Sequence, residues 1–135
     1  MKTRSEKREA AIKIIYKIII YEEAKVSYDL EEVIKEDSEI QSDFVNQLVK
    51  GVLDNRKELE TLANKYLKNW TLKRLNKVDE AIFLLAVYEL KYIDTPSIVT
   101  INEWLDLSKK YSDEKVTDML NAVLDNIYHS EENNE

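Results

Sequence analysis

No cysteine occurs among the 135 residues, and glycine, proline and histidine occur once each, as Gly51, Pro96 and His129. Without cysteine there is no disulfide, no thiolate nucleophile and no Cys-ligated zinc, a composition suited to a reducing compartment. One glycine cannot build a phosphate-cradling loop, and one histidine cannot supply a metal cluster or a catalytic triad. His129 stands beside the polar stretch from Ser130 to Glu135 and reads as a solvated residue near the chain end. No enzymatic activity, metal or cofactor is therefore expected. Sheet proteins need many more turn residues than this, so the expected class is all-α. Long hydrophobic runs are also missing: the early apolar patch is interrupted by Lys13 and Lys17, and neither a signal peptide nor a membrane span is expected. The expected location is the cytoplasm, with no membrane partner.

Charge is plentiful, at 35% of residues against 44% hydrophobic, and it is unevenly placed. The formal net charge is −7, yet residues 1–17 hold six basic and two acidic side chains, whereas residues 22–60 hold five basic and twelve acidic ones. A local basic patch on an acidic body suffices to hold phosphates; the plainer reading is that these lysines and arginines solubilise an exposed helix start.

Periodicity predicts about seven helices in one compact domain. Thr3 and Glu6 have capping-box spacing, and Ile12, Ile15, Tyr16, Ile19 and Ile20 follow at helical intervals, giving a first helix over residues 4–23. Ile14, Ile18 and Tyr21 lie off that stripe, so the helix is either wedged between neighbours or offers a surface to a partner, a second copy included. Ser27 is expected to cap a short acidic helix carrying Leu30, Val33 and Ile34, with Ser38 in the next connection. Gly51, inside a helix marked by Phe44, Val45, Leu48, Val49 and Val52, predicts close approach of another helix. Leu59, Leu62, Ala63 and Tyr66 mark a fourth helix, with Trp70 and Leu72 covering the bundle. The central helix starts near Lys77, capped by Asn76 with Asp79 reaching back. It runs apolar on every side from Ala81 to Tyr88, which requires burial all round. Glu89 inside it needs a partner, expected to be a backbone amide, a tyrosine or a lysine. Ile101, Trp104 and Leu107 mark a sixth helix. The seventh carries Val116, Met119, Leu120, Val123, Leu124 and Ile127 behind a Ser112 cap.

Taken in order, several segments resemble the NusB family of bacterial transcription antitermination factors. They are Ala11 to Tyr16 after the basic start, Leu48-Val49-Lys50-Gly51-Val52, Trp70 with Arg74-Leu75, Val78-Asp79 with Ala81-Ile82, Ala86 to Leu90, Pro96 with Ile101-Asn102-Glu103, and Asn121 to Asp125. The resemblance spans residues 4–128. It implies a NusB-like domain over residues 1–129, with a basic N-terminal arm at 1–13 and a polar disordered tail at 130–135. It further implies a non-enzymatic role in which the protein pairs with NusE, a small-subunit ribosomal protein. The pair then binds the boxA element of nascent RNA and keeps RNA polymerase elongating through ribosomal RNA operons.

By the same resemblance, RNA contacts fall on Lys2, Arg4, Lys7 and Arg8, with Arg8 best matched to the family's arginine, and on Lys115 and Met119 of the last helix. Tyr16, Asp79 and Glu80 match the NusE-facing surface, although Asp79 equally fits a plain capping acid. The sequence departs from the family pattern where Met119 and Ala122 replace a stacking aromatic and a glycine, and where Asp118 takes a commonly basic position. Met119 also fits the core stripe, and Asn121 is expected to satisfy a buried backbone group. The competing expectation is a helical interaction module that binds the ribosomal protein or itself, with little RNA contact.

Overall fold

The computed structural model describes residues 2–37 and 42–130. Ser38 and residues 131–135 of the expected tail lie outside the described residues. The described residues form seven helices: α1 Arg4–Glu23, α2 Leu30–Asp37, α3 Asp43–Asp54, α4 Arg56–Tyr66, α5 Lys77–Tyr92, α6 Ser97–Tyr111 and α7 Glu114–Ser130. A single 3₁₀ turn, Leu72–Arg74, leads into α5. Among the described residues there is no strand, and no helix is long and apolar enough to cross a membrane.

The helix starts follow local hydrogen-bonding chemistry. At α1 the capping box closes as expected, the Glu6 amide donating to Thr3 Oγ1 at 3.1 Å and the Thr3 amide to Glu6 Oε1 at 3.0 Å. Two expected caps are displaced by one or two residues. The amides of Glu31 and Glu32 donate to Asp29 rather than to Ser27, and the Val116 amide donates to Asp113 rather than to Ser112. In both cases an aspartate nearer the first turn supplies the oxygen, and its charge also favours the positive helix end. Ser112 is thereby released for a different bond, described below. Ser130 is the last residue of α7, so the helix runs one residue further than the expected tail boundary.

Helix α5 is the axis of the bundle, with α1, α3, α4, α6 and α7 all packed on it. Every residue from Asp79 to Leu90 is buried, including the whole apolar run Ala81 to Tyr88. Gly51 of α3 meets α5 as expected: a Cβ built there would lie 2.0 Å from Tyr88 Cζ. Helix α1 is wedged between neighbours, as one reading of its apolar excess had it, and part of its apolar set stays at the surface. Ile14 and Ile18 are fully buried, while Tyr16 and Ile20 are each 38% exposed. The buried arc is therefore rotated from the expected stripe, because neighbours on two sides, α3 and α5, divide the helix between them.

Candidate nucleic-acid and partner interface

The basic start of α1 is two different structures. Lys2 and Arg4 are exposed and Lys7 is half-buried, with the Arg4 guanidinium 4.0 Å from the Phe44 ring centroid. Arg8, four residues on, points into the bundle with its side chain 3% exposed. Its Nε donates to Glu89 Oε1 at 2.8 Å and its Nη2 to Glu89 Oε2 at 2.6 Å, a bidentate pair, while Nη1 lies 3.5 Å from Glu103. Trp104 Nε1 donates to the same carboxylate at 2.9 Å. The expectation of an exposed Arg8 reaching for RNA is corrected here, since its donors are turned inward to neutralise Glu89. Arg8, Trp104 and Thr95 are also the partners that Glu89 required, in place of the expected amide, tyrosine or lysine. Burial pushes the Glu89 carboxyl up, but Arg8, Trp104 and Thr95 outweigh it and hold the group below its ordinary value.

A second cationic feature lies between α4 and α7. Trp70 is half-buried, with the Arg74 guanidinium 4.8 Å and the Lys115 ammonium 5.3 Å from its ring. Lys115 also borders a groove of about 610 Å³ lined by Tyr66, Leu67, Asp118, Met119 and Ala122. Met119 is half-buried against the core, as its place in the helical stripe implied, and also borders this groove. Asn121 is exposed, contrary to the expected buried role. From the sequence Trp70 is expected only to cover the bundle, and Arg74 only marks the family resemblance. The available signal was an aromatic set within the basic series Lys65, Lys68, Lys73 and Arg74.

On the α1 side, Tyr16 borders an apolar groove of about 230 Å³ with Ile12, Lys13, Val78 and Tyr111. The Tyr111 hydroxyl donates to Glu9, and burial together with that carboxylate pushes its pKa up to about 12. Asp79 and Glu80 lie inside, at 3% and 2% exposure, which corrects the expectation of surface acids facing a partner. Asn76 caps the Asp79 amide at 2.9 Å, but the Asp79 carboxylate turns to accept from Ser112 at the α6–α7 junction instead of closing a box. Burial raises both carboxyls above their ordinary values, Ser112 partly offsetting it at Asp79 and Lys77, Arg56 and Lys73 at Glu80. An acid whose folded pKa is raised costs stability when ionised, and the cost is relieved as pH falls through the folded value. Glu80→Gln is therefore expected to raise the thermal midpoint at pH 7 and to leave it nearly unchanged near pH 4, as measured by calorimetry. A lower midpoint at pH 7 would show that the charge is net stabilising.

His129 is exposed, 3.3 Å from Asp125, as its position in the sequence implied. Among the described residues no group of three His, Cys, Asp or Glu side chains is placed to hold a metal ion. Fold and site together define a helical binding domain, a bundle that presents cationic and apolar surfaces around a buried axis. The chain belongs to the NusB family, whose model matches residues 5–129.

The transcription antitermination protein NusB of Listeria innocua is 40% identical over 126 residues, covering 92% of this chain and 94% of that protein. The protein of the same name from Ligilactobacillus salivarius is 35% identical over 127 residues, covering 93% and 97%. Among solved structures, T. maritima NusB superposes with a TM-score of 0.82 at 29% identity, covering 96% of this chain and 94% of that one. A structure of antitermination factors NusB and NusE in complex with double-stranded RNA matches with a TM-score of 0.78 at 25% identity, covering 93% and 96%.

Proposed function

We propose that this protein is a transcription antitermination factor that binds boxA RNA of nascent ribosomal RNA transcripts together with NusE. In this role it supports elongation by RNA polymerase through ribosomal RNA operons in the cytoplasm. The observation that carries this reading is the match, over 93% of the chain, to a NusB seen with both NusE and RNA. The chemistry is non-enzymatic. Lys2, Arg4 and Lys7 supply charge at an exposed helix start, and Trp70 with Arg74 and Lys115 supplies an aromatic ledge with cations beside Met119. Single-stranded RNA is held by such pairs, cations on phosphates and flat side chains against splayed bases. NusE takes the apolar groove at Tyr16, the surface on which a free copy would also self-associate.

The test is fluorescence anisotropy with a boxA RNA, with and without NusE, across a salt series. Lys2→Ala, Arg4→Ala and Lys7→Ala together are expected to weaken binding by at least about tenfold and to flatten the log–log salt slope by about 2. Arg8 is left intact, because its loss confounds binding with stability. Binding that is undetectable even with NusE, or indifferent to the triple substitution, favours the second reading of an interaction module without RNA. The net charge of −7 and Asp118 beside Lys115 favour that outcome.

A further inference from the structure

We propose that the groove between α4 and the end of α5 holds the phosphate backbone of single-stranded RNA, as a continuation of the path that passes Trp70. Lys57, Thr61 and Lys65 follow one another at spacings of four on one face of α4, and Lys91 of α5 joins them. With Glu58 and Leu62 they line a groove of about 390 Å³, and all three lysines and Thr61 are exposed. The one carboxylate of the lining is engaged: Glu58 accepts from the Tyr92 hydroxyl and lies 3.5 Å from Lys91 Nζ. Three ammonium groups thus share a groove with one carboxylate, on a chain whose net charge is −7. Local helix chemistry accounts for two of these lysines but not for the third. Lys65 and Lys91 stand in the last turns of their helices, where a cation meets the negative helix end. Lys57 is the second residue of α4, at the positive end, and among the described residues no carboxylate lies within ion-pair reach of it. Arg56 beside it is paired with Glu22. A cation left alone there costs stability, and an anion laid in the groove offsets that cost.

The groove runs into the surface already read as RNA-facing. Lys65 Nζ lies 5.3 Å from the Tyr66 ring centroid, and Tyr66 and Lys68 line the neighbouring groove that Lys115 borders. Lys57 and Lys65 are separated by about 12 Å of helix axis, so a strand leaving the Trp70 ledge past Lys68 meets cations along the length of α4. Ammonium and hydroxyl groups suit phosphate oxygens, and the lining has no aromatic or guanidinium plane on which a base could stack. Contact is therefore with the backbone and indifferent to base sequence. An acidic protein fits less well, because a protein interface needs an apolar centre and the one apolar residue of the lining, Leu62, is only 8% exposed. The path rests on the reading of Trp70, Arg74 and Lys115 as RNA contacts; the groove as an RNA site does not.

Dodecauridylate, titrated into the full chain at low salt with the Thr61 amide and methyl followed by NMR, tests the groove, and an oligoglutamate of equal charge is the control anion. Thr61 is expected to shift saturably with the RNA and much less with the peptide. Lys57→Glu is expected to weaken this binding by about tenfold. The same substitution should raise the thermal midpoint by about 1–3 °C, since it puts an acid at the positive helix end, so lost binding is not lost fold. Should Lys57→Glu not fold, Lys65→Gln combined with Lys91→Gln serves instead. Lys25→Glu, in the turn after α1, makes the same change of net charge and leaves binding unchanged. Fluorescence anisotropy with NusE then compares a boxA RNA with the same RNA carrying an oligouridylate tail at either end. At one end the tail is expected to tighten binding about tenfold and to steepen the log–log salt slope by about 2. Lys57→Glu removes that gain and leaves the untailed RNA bound as before. An unmoved Thr61, an equal loss from Lys25→Glu, or an equal shift with oligoglutamate, which would assign the groove to an acidic protein, overturns the site. A boxA RNA that binds but gains nothing from either tail overturns the path alone. Untailed RNA left unbound while oligouridylate still moves Thr61 sinks the antitermination reading and supports the groove, so the two failures are told apart.

Discussion

Replacing Glu89 by alanine is expected to lower the unfolding free energy by about 3–5 kcal/mol, a fall in Tm on the order of 10–20 °C, because it strands a buried guanidinium. Arg8 is 2% exposed and Glu89 0%, so water cannot take over the lost bonds, and the Trp104 indole loses its acceptor at the same time. Arg8→Ala is expected to cost less, since an abandoned carboxylate can take up a proton and a guanidinium cannot give one up. Arg8→Met combined with Glu89→Leu should recover much of the loss, because paired removal leaves no buried charge and deprives only two neutral donors, the Trp104 indole and the Thr95 hydroxyl, of their acceptor. Urea denaturation of the three variants beside the wild type checks this. A double variant no more stable than Glu89→Ala would show that the pair is needed for more than mutual neutralisation.

The same pair sets an acid limit. The Glu89 carboxyl is held below its ordinary 4.5, so its contribution is complete above that value and is lost as pH falls through the lower folded value. Asp79 and Glu80, raised by burial, act with the opposite sign and ease as pH falls. Acid unfolding of the wild type therefore sets in only where protonation of Glu89 outweighs that relief, and the Arg8→Met, Glu89→Leu variant lacks this component.

Gly51→Ala is expected to destabilise by about 1–3 kcal/mol, net of the gain in helix propensity that alanine ordinarily brings. The added methyl would overlap the Tyr88 ring, at 2.0 Å from Cζ and 2.3 Å from Oη. That ring is 7% exposed and stacked 5.2 Å from Tyr92, so it cannot swing aside without breaking the stack. Adding Tyr88→Leu to Gly51→Ala should restore part of the loss, as read from thermal midpoints. A Gly51→Ala protein as stable as the wild type would show that α3 and α5 can part by the needed distance at no cost.

Helix existence and the burial of Ala81 to Tyr88 were legible because they depend on local spacing and composition. The caps at Asp29 and Asp113 were missed because several oxygen-bearing side chains sit within two residues of each helix start, and spacing does not choose among them. Arg8 was misplaced for a different reason. A basic residue in a basic segment reads as surface, and only its pairing with Glu89, 81 positions away, turns it inward. Asp79 and Glu80 read as surface acids because neighbouring carboxylates at a helix start ordinarily are solvated, yet α6–α7 and the end of α1 close over them. Trp70 gained one of its two cations, Lys115, from α7, which sequence order sets far from it.

Short-range periodicity and blocks in a fixed order suffice for the all-α class, the seven helices of the described residues, the close contact at Gly51 and the family. Tertiary structure alone decided which charges remain on the surface. Whether a charged side chain meets water or a partner depends on what the packing of other helices brings to it, and that packing takes Arg8, Asp79 and Glu80 inside while leaving Lys2, Arg4 and Tyr16 exposed.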